Sequence, residues 1–435
     1  MQPHAQPSAA PEQALLGIEG KSVHPRGAAK KGNLTPAAYK ARFALQRIAA
    51  GLLFGAGTIE TRNGKTRDRW AVCGCNRNMR GNHVRIARQT DGQGARYKGV
   101  ITCGSVWTCP VCAARIAEDR RLELQLAIRR WATTGGKVYL MTLTAPHTLE
   151  LPLVDFLAKW KKALQSFKNG KTYKRISARY ARLGSVRSLE VTYGANGWHP
   201  HTHDLVFAGA GLLDDYRSIE ELRQAWVAVC IKAGLGDSSK RNDMLAHGFD
   251  LQGGDYAADY VAKFGRQPTI EGWGVSDELT RSHSKTGTRA GHMTPFALLL
   301  AFHQGDQECG ALFRTYAEAF EHQRMLYWSP KLKTKLGIVD VSDEDLARAP
   351  LPDEEDCSEL DSEQWGLVLS RDARGELLFW AAQYGDDGVA RFLEELKDRP
   401  RTHRGIHVNA WARSALDDPM AAVGLYTFEM PGEHS

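Results

Sequence analysis

The segment NGWHPHTHDLVF, residues 196–207, has a histidine at every second position directly ahead of an apolar run. Successive side chains of a β-strand point to opposite faces, so His199, His201 and His203 share one face, about 6–7 Å apart at each step. Two imidazoles placed in this way can converge on one divalent cation, and a carboxylate or water completes its coordination shell. The segment therefore predicts a metal-binding strand.

The strand before it is predicted to carry the carboxylate. The run SVRSLEVTYG, residues 185–194, reads as a strand, and ANG at 195–197 supplies a turn that folds it back beside the histidines. Glu190 is then expected opposite the histidines as a third ligand. A solvated polar strand is the alternative for a single histidine, but three in register with an acid across a hairpin favour a metal site.

The surrounding pattern predicts the fold class. KVYLMTLTAPH at 137–147 is a mostly apolar, β-branched run that indicates a buried strand, and its Thr142 and Thr144 are expected at the centre of the sheet beside the histidine strand. Apolar residues at helical spacing follow from Leu153 to Phe167. The order strand, helix, strand, turn, strand, helix predicts an α+β fold with a central antiparallel sheet flanked by helices.

A second motif, GGDYAADYVAKFG at 253–265, is predicted to be helical. The spacing of Tyr256, Tyr260 and Lys263 places all three on one helix face. A phenol with a pKa near 10 is a poor nucleophile, but it can attack a phosphodiester whose oxygens are drawn onto a metal ion, and a lysine can stabilise the charge. The alternative is an amphipathic helix whose tyrosines pack against the sheet.

Five of the eight cysteines lie within forty residues. In a reducing compartment such a cluster indicates a metal site rather than disulfides. Structural zinc takes four ligands, so one thiol is spare, and we expect Cys109 and Cys112 of the Cys-x-x-Cys motif with two of Cys73, Cys75 and Cys103. Four thiolates leave no open position, so this zinc is expected to be structural. Free buried thiols are the alternative.

Composition and charge suggest a partner and a division of the chain. The 435 residues are 43% apolar and carry a formal charge of +7, yet 340–363 contains eleven acids and one arginine, which leaves about +17 on the rest. That balance favours a polyanionic partner for the body. The predicted segments are a disordered arm (1–40), a Cys-rich zinc module (65–115), a central α+β domain (116–300), a basic helical region (301–338), an acidic linker (340–363) and a small C-terminal helical region (364–435).

The sequence predicts a cytoplasmic protein without a membrane partner. No apolar stretch approaches the roughly 20 residues needed to span a bilayer, and the first residues lack a cationic segment followed by an apolar one.

Three motifs, LMTLT, HPHTHDLVF and YVAK, resemble in sequence and order those of the HUH endonucleases, specifically the rolling-circle replication initiators of plasmids and phages. The resemblance covers roughly 65–335, and CGSVWTCPVCAARIA and LYWSPKLKTKLGI resemble sequences that accompany the family. It implies the HUH endonuclease fold. Carried over by position, it implies that His201 and His203 are the metal pair, with Glu190 as third ligand and His199 as a possible extra one. Tyr260 matches the nucleophile, and Lys263 matches the lysine of that motif.

This resemblance implies an enzyme that nicks one DNA strand at an origin, stays attached through a 5′-phosphotyrosine and leaves a 3′-OH primer. Single-stranded and origin DNA, a host helicase and a host polymerase are the implied partners. The implied cofactors are catalytic Mg²⁺ or Mn²⁺ beside structural Zn²⁺. Lysine and arginine side chains are expected to hold phosphates of the unpaired strand, namely Lys285, Arg289, Lys331, Lys333 and Lys335.

Three alternatives remain open. Some phage initiators have a second tyrosine four residues before the nucleophile, whereas several small plasmid initiators have a glutamate there; this chain has Tyr256, either a second nucleophile or a packing residue. A single-strand transposase or mobilisation relaxase uses the same chemistry. A non-catalytic, zinc-dependent DNA-binding repressor is the alternative from another class.

Overall fold

The computed structural model describes residues 36–60, 66–263 and 292–402. These ranges contain thirteen helices and ten strands, besides short 3₁₀ turns. In chain order they are α1 (Pro36–Leu53), β1 (Thr58–Glu60), β2 (Thr66–Asp68), β3 (Val84–Gln89), β4 (Ala95–Lys98), α2 (Pro110–Ala132), β5 (Lys137–Leu143), α3 (Leu153–Asn169), α4 (Lys171–Arg179), β6 (Gly184–Gly194), β7 (Gly197–Ala208), α5 (Tyr216–Ala233), α6 (Arg241–His247), β8 (Phe249–Gln252), α7 (Gly254–Lys263), α8 (Pro295–His303), α9 (Gln307–Phe320), β9 (Leu326–Trp328), α10 (Leu332–Lys335), α11 (Asp343–Arg348), β10 (Glu354–Leu360), α12 (Ser362–Ser370) and α13 (Arg374–Asp398).

A five-stranded sheet in the order β8-β5-β7-β6-β9 lies at the centre of the fold, and every neighbouring pair is antiparallel. Gly197 begins β7 directly after the turn of the long β6–β7 hairpin. Its φ of +87° lies in the left-handed region, which glycine adopts without steric cost. A Cβ there would also lie 3.2 Å from the carbonyl oxygen of Thr148. The predicted antiparallel sheet flanked by helices is confirmed.

Apolar side chains point alternately to the two faces of the sheet, and both faces are covered by helices. On one face Met141 and Leu143 pack against the aromatic residues of α3 and α5, including Phe156 and Trp226. On the other face the strands pack against α2 and α7, where Val261 is buried. Full burial of each large side chain contributes roughly 1.5–3 kcal/mol. Both faces are covered, and the β6–β7 hairpin is held between the two layers.

The region predicted to be basic and helical, 301–338, contains a strand that the prediction did not include. Residues Leu326–Trp328 form β9 and pair with β6 as the fifth strand of the central sheet. Its apolar residues Leu326 and Trp328 alternate with Tyr327, a strand pattern too short to stand out beside the neighbouring lysines.

The acidic stretch 340–363 is not the linker that its composition predicts. It contains α11 and β10, and β10 is an edge strand of a second sheet in the order β10-β3-β4. Its acids meet basic side chains of β3 and β4: Glu354 lies 2.5 Å from Arg96, and Glu355 lies 2.8 Å from Arg88. These partners are more than 250 residues away in sequence, so local composition does not reveal them.

The C-terminal helices pack on the Cys-rich module instead of forming a separate region. Residues of α12 and α13, such as Trp365 and Leu377, share one core with Phe43 of α1 and Tyr97 of β4. Helix α1 begins at Pro36, within the predicted arm, and residues 1–35 and 403–435 lie outside the described residues. In the described part of the chain, no helix combines the length and apolar character needed to cross a membrane.

Candidate active site and cysteine cluster

The β6–β7 hairpin brings two histidines and one carboxylate together on one face of the central sheet. In the antiparallel register Glu190 pairs with His201. Ser188, two residues earlier in β6 and on the same face, pairs with His203. Glu190 Oε2 lies 3.6 Å from His201 Nε2 and 3.9 Å from His203 Nε2. One ligand atom from each of these three residues lies within 4.8 Å of the others, so the group can hold a metal ion.

The other ring nitrogen of each histidine is held by a hydrogen-bond partner. Nδ1 of His203 lies 2.9 Å from Thr142 Oγ1, and Nδ1 of His201 lies 3.3 Å from the carbonyl oxygen of His199. A histidine that binds metal through Nε2 carries its proton on Nδ1, which then donates to such an acceptor. Thr142 was predicted only as part of the sheet; its position in β5 directly opposite His203 gives it this further role.

Burial and neighbouring side chains set the protonation states of His203 and Glu190. Burial lowers the pKa of His203, although the Glu190 carboxylate acts in the opposite direction. Burial would raise the pKa of Glu190, but hydrogen bonding to His201 and the positive charges that both imidazoles carry in acid hold it at about 2. An ionised carboxylate beside neutral imidazole is the donor set that suits Mg²⁺, Mn²⁺ and related divalent ions.

His199 lies beside this group but is not one of the three residues that converge. Its ring stacks on His147, with centroids 4.6 Å apart and planes 9° apart. Burial, with nearby His201 and His147, lowers the pKa of His199 to about 4. Neither ring nitrogen of His147 has a hydrogen-bond partner among the described residues. His147 is not among the predicted site residues. Its position at the end of the strand run KVYLMTLTAPH, which was predicted to lie beside the histidine strand, could have indicated that it lies near the site.

Tyr260 of α7 reaches the metal group from the helix that covers this face. Its Oη donates a hydrogen bond to Glu190 Oε1 at 2.8 Å, and its ring centroid lies 4.8 Å from that of His203. Burial and the Glu190 carboxylate raise the pKa of Tyr260 well above 10. The phenol is therefore protonated in this arrangement, with its oxygen directed at the candidate metal group.

The other predicted residues of the tyrosine helix differ from Tyr260. Tyr256 is 60% exposed, whereas its neighbour Ala257 is 1% exposed, so Tyr256 lies at the solvent edge of the helix face. The side chain of Lys263 lies outside the described residues, as do Lys285 and Arg289.

Four of the five clustered cysteines form a second candidate metal group, Cys75, Cys103, Cys109 and Cys112. Three of their Sγ–Sγ distances are 3.6, 3.6 and 3.8 Å. A tetrahedron of sulfur atoms about 2.3 Å from a central zinc has edges of about 3.8 Å, so the spacing fits. Cys73 is the spare: its Sγ lies 3.5 Å from the Ala50 carbonyl oxygen, and burial raises its pKa to about 12.

The lysines predicted as DNA contacts fall into two groups. Lys331, which directly precedes α10, and Lys335, the last residue of α10, are exposed. Lys333 Nζ instead lies 2.6 Å from Glu123 and 2.8 Å from Asp340, and its side chain is 13% exposed. Two carboxylates already neutralise this ammonium group, so the predicted phosphate contact at Lys333 would have to displace both of them.

The chain is similar to a protein called Protein rep from Streptomyces lividans, with 27% identity over 408 residues that cover 78% of this chain and 81% of that protein. It is also similar to a protein called Neomycin resistance protein from Streptomyces cyanogenus, with 30% identity over 149 residues. That second similarity covers 28% of this chain, which spans about a third (34%) of the relative's length. No family model and no solved structure matches the chain.

Proposed function

We propose that this protein is a rolling-circle replication initiator that nicks and rejoins one DNA strand at an origin through Tyr260. The observation that carries the proposal is the contact of Tyr260 Oη with Glu190, 2.8 Å long, beside two histidines. A nucleophile, a candidate metal group and a phosphate would then meet at one point. The similarity to Protein rep over most of both chains supports a role in replication.

Glu190, His201 and His203 would hold a divalent ion, Mg²⁺ or Mn²⁺, because two imidazoles and one carboxylate fit such an ion and leave positions for phosphate oxygens. When bound, the ion supplies Lewis-acid polarisation of the scissile phosphate. Zn²⁺ is the proposed ion of the four-cysteine group, whose role is structural because four thiolates fill the tetrahedron.

In the proposed reaction the Tyr260 oxygen attacks the phosphorus, the Oη–P bond forms and the bond from phosphorus to the 3′-oxygen breaks. The phenol proton is lost to solvent as the Oη–P bond forms, and the departing 3′-oxygen takes up a proton from solvent. Because the pKa of Tyr260 is raised, the phenol stays protonated until a phosphate and cation arrive. The nucleophile is therefore inert without substrate.

The scissile strand must be unpaired to reach this oxygen, since Tyr260 lies between α7 and the sheet. Exposed Lys331 and Lys335 are the proposed phosphate contacts among the described residues. Lys263 is proposed to stabilise charge near the phosphate. Tyr256, exposed and one helical turn away, is the proposed second nucleophile that would accept the strand in the rejoining step.

The proposal is tested by incubating the purified protein with Mn²⁺ and a labelled single-stranded origin oligonucleotide, and measuring the SDS-stable, protease-sensitive conjugate. Tyr260→Phe should reduce the conjugate by at least about 10³-fold with DNA binding unchanged. Tyr256→Phe, which removes a hydroxyl on the same helix, is the matched control and should keep the first cleavage. His201→Ala should also lose cleavage across a Mn²⁺ titration.

Two results would contradict the proposal. DNA binding without any conjugate would leave a zinc-dependent DNA-binding repressor as the better account. Cleavage and joining of transposon-end oligonucleotides in preference to origin oligonucleotides would indicate a single-strand transposase.

A further inference from the structure

A cluster of three cations lies on the face of the central sheet opposite the candidate active site. We call Lys168, Arg182 and Arg187 the back-face cluster. Along β7, His203 points to one face and the next residue, Asp204, points to the other. Asp204 pairs in register with Arg187 of β6, and Arg187 pairs with Tyr327 of β9. The sheet therefore separates this cluster from the metal group.

The cluster holds more positive charge than its surroundings neutralise. Lys168 Nζ lies 2.8 Å from Asp204 Oδ1, and the Asp204 side chain is fully buried. Among the described residues, no carboxylate lies within ion-pair distance of Arg182 or Arg187. Burial lowers the pKa of Lys168, Asp204 opposes this shift, and the charges of Arg187 and Arg182 add to it. One acid thus faces three cations.

Two hydrogen-bond donors at this cluster have no acceptor in the described part of the chain. They are Arg182 Nε and the hydroxyl of Tyr173, both buried. The Arg182 guanidinium lies 5.3 Å from the centroid of the Tyr173 ring, so the two side chains are neighbours. Asp204 Oδ2 also lacks a partner, on the side of the cluster that already holds Lys168. Unpaired donors beside excess positive charge fit an anion that accepts hydrogen bonds.

An exposed aromatic ring lies at the edge of the cluster. The guanidinium of Arg187 lies 4.9 Å from the centroid of the Tyr327 ring, and Tyr327 is 41% exposed. Cations that pair with phosphates beside an aromatic ring that stacks a base are the combination by which proteins hold single-stranded nucleic acid. The nearby α4 adds exposed Lys171 and Lys174. The ligand class is therefore a phosphate group that carries a base.

We propose that the back-face cluster, with Tyr327, binds phosphates of a second single-stranded DNA segment, separate from the segment at the metal group. The proposal rests on DNA being the protein's substrate, as proposed above. It does not depend on the nicking chemistry. A second segment held behind the sheet would keep one end of the cut DNA on the protein while the other is exchanged at Tyr260.

The test is the affinity for a labelled single-stranded oligonucleotide of about 30 nucleotides, measured by fluorescence anisotropy across a salt titration. The double variant Arg182→Gln/Arg187→Gln should bind at least about tenfold more weakly, and the slope of log K against log salt should fall by about 1.4, since each phosphate contact contributes about 0.7. Tyr327→Ala should weaken binding about tenfold with the slope unchanged. Lys168 is left intact because it pairs with buried Asp204.

The control variant is Arg314→Gln/Arg391→Gln, which removes two exposed guanidinium groups from α9 and α13. Equal affinity and slope for this control and the back-face double variant, with equal thermal unfolding midpoints, would overturn the proposal. Inorganic phosphate and tripolyphosphate serve as competitors. Tripolyphosphate binding that the double variant loses, with the affinity for the oligonucleotide unchanged, would show a site for free phosphate and overturn the assignment to DNA.

The outcome is separable from that of the proposed function. Conjugate formation with a short oligonucleotide that spans only the cleavage site should be unchanged in the double variant. If no conjugate forms with the wild type, the nicking proposal fails, while the anisotropy result still decides whether the back-face cluster binds DNA.

Discussion

Thr142 illustrates how one hydroxyl orients the ring of a candidate metal ligand. It lies 2.9 Å from Nδ1 of His203 and leaves Nε2 directed at Glu190. The choice of ring nitrogen decides whether His203 has a lone pair available for a cation. The LMTLT strand therefore does more than supply apolar core.

Thr142→Val keeps the shape of the side chain and removes this acceptor, so we expect Mn²⁺ affinity to fall about 10- to 100-fold. Isothermal titration calorimetry with Mn²⁺ measures the change. Thr144→Val is the matched control, since the Thr144 hydroxyl donates to the His247 carbonyl oxygen, away from the metal group. Unchanged Mn²⁺ affinity in Thr142→Val would remove Thr142 from its proposed role.

The cysteine assignment gives a second prediction at the residue scale. Cys75→Ser should lose the bound zinc and lower the free energy of unfolding by at least about 3 kcal/mol, because zinc binding contributes directly to folding. Cys73→Ser should keep its zinc, as Cys73 lies outside the four-cysteine group. Metal analysis and urea unfolding of both variants check this, and equal zinc contents would count against the assignment.

Much of the candidate site follows from spacing alone, because strand alternation is a local rule. The period of two puts His201 and His203 on one face, and the short turn brings Glu190 opposite them. The choice of the spare cysteine does not follow, since Cys73 and Cys75 are two residues apart and only packing against Ala50 separates their roles. The burial of Lys333 likewise depends on Glu123, a contact between segments far apart in sequence.

At the element scale, β10 shows why composition can mislead. Its acids pair with basic side chains of β3 and β4, and the paired side chains of Arg96 and Glu354 are only 17% and 8% exposed. A strand whose charged residues are all acidic reads as a solvated linker when its basic partners are unknown. The same long-range pairing explains why β9 was not predicted.

Arg96→Met leaves Glu354 nearly buried without its partner, so we expect a loss of about 3 kcal/mol in the free energy of unfolding. Arg85→Met is the matched control: Arg85 is 51% exposed and its contact with Asp356 is 4.0 Å long, so about 0.5 kcal/mol or less is expected. Urea unfolding measures both. A larger loss in Arg85→Met than in Arg96→Met would contradict the account of β10 as a paired, structural strand.

At the scale of the whole molecule, the Cys-rich module and the β6–β7 hairpin share a core. Cys75, Cys109 and Cys112 belong to the same buried cluster as Val191 and Trp198 of the hairpin. Trp107, between Cys103 and Cys109, packs on Phe320 of α9, with ring centroids 4.8 Å apart. The four-cysteine group thus supports the strand pair that carries Glu190 and the histidines.

Removal of residues 350–402 should therefore unfold the Cys-rich module. The deletion removes β10, α12 and α13 and exposes Val84, Ile86 and Tyr97, which they bury. We expect the truncated chain to lose its zinc and to show a lower thermal unfolding midpoint than the full chain. Zinc content equal to that of the full chain would show instead that the C-terminal part is a dispensable appendage.

In the proposed reaction the Tyr260 oxygen attacks a phosphate held by the neighbouring candidate metal group. Fragment-ion mass spectrometry of the tryptic peptide that contains both tyrosines, after reaction with Mn²⁺ and origin DNA, locates the attached nucleotide directly. We predict that after a single cleavage the phosphodiester is on Tyr260. Attachment to Tyr256 alone, or an unmodified peptide beside cleaved DNA, would contradict the claim.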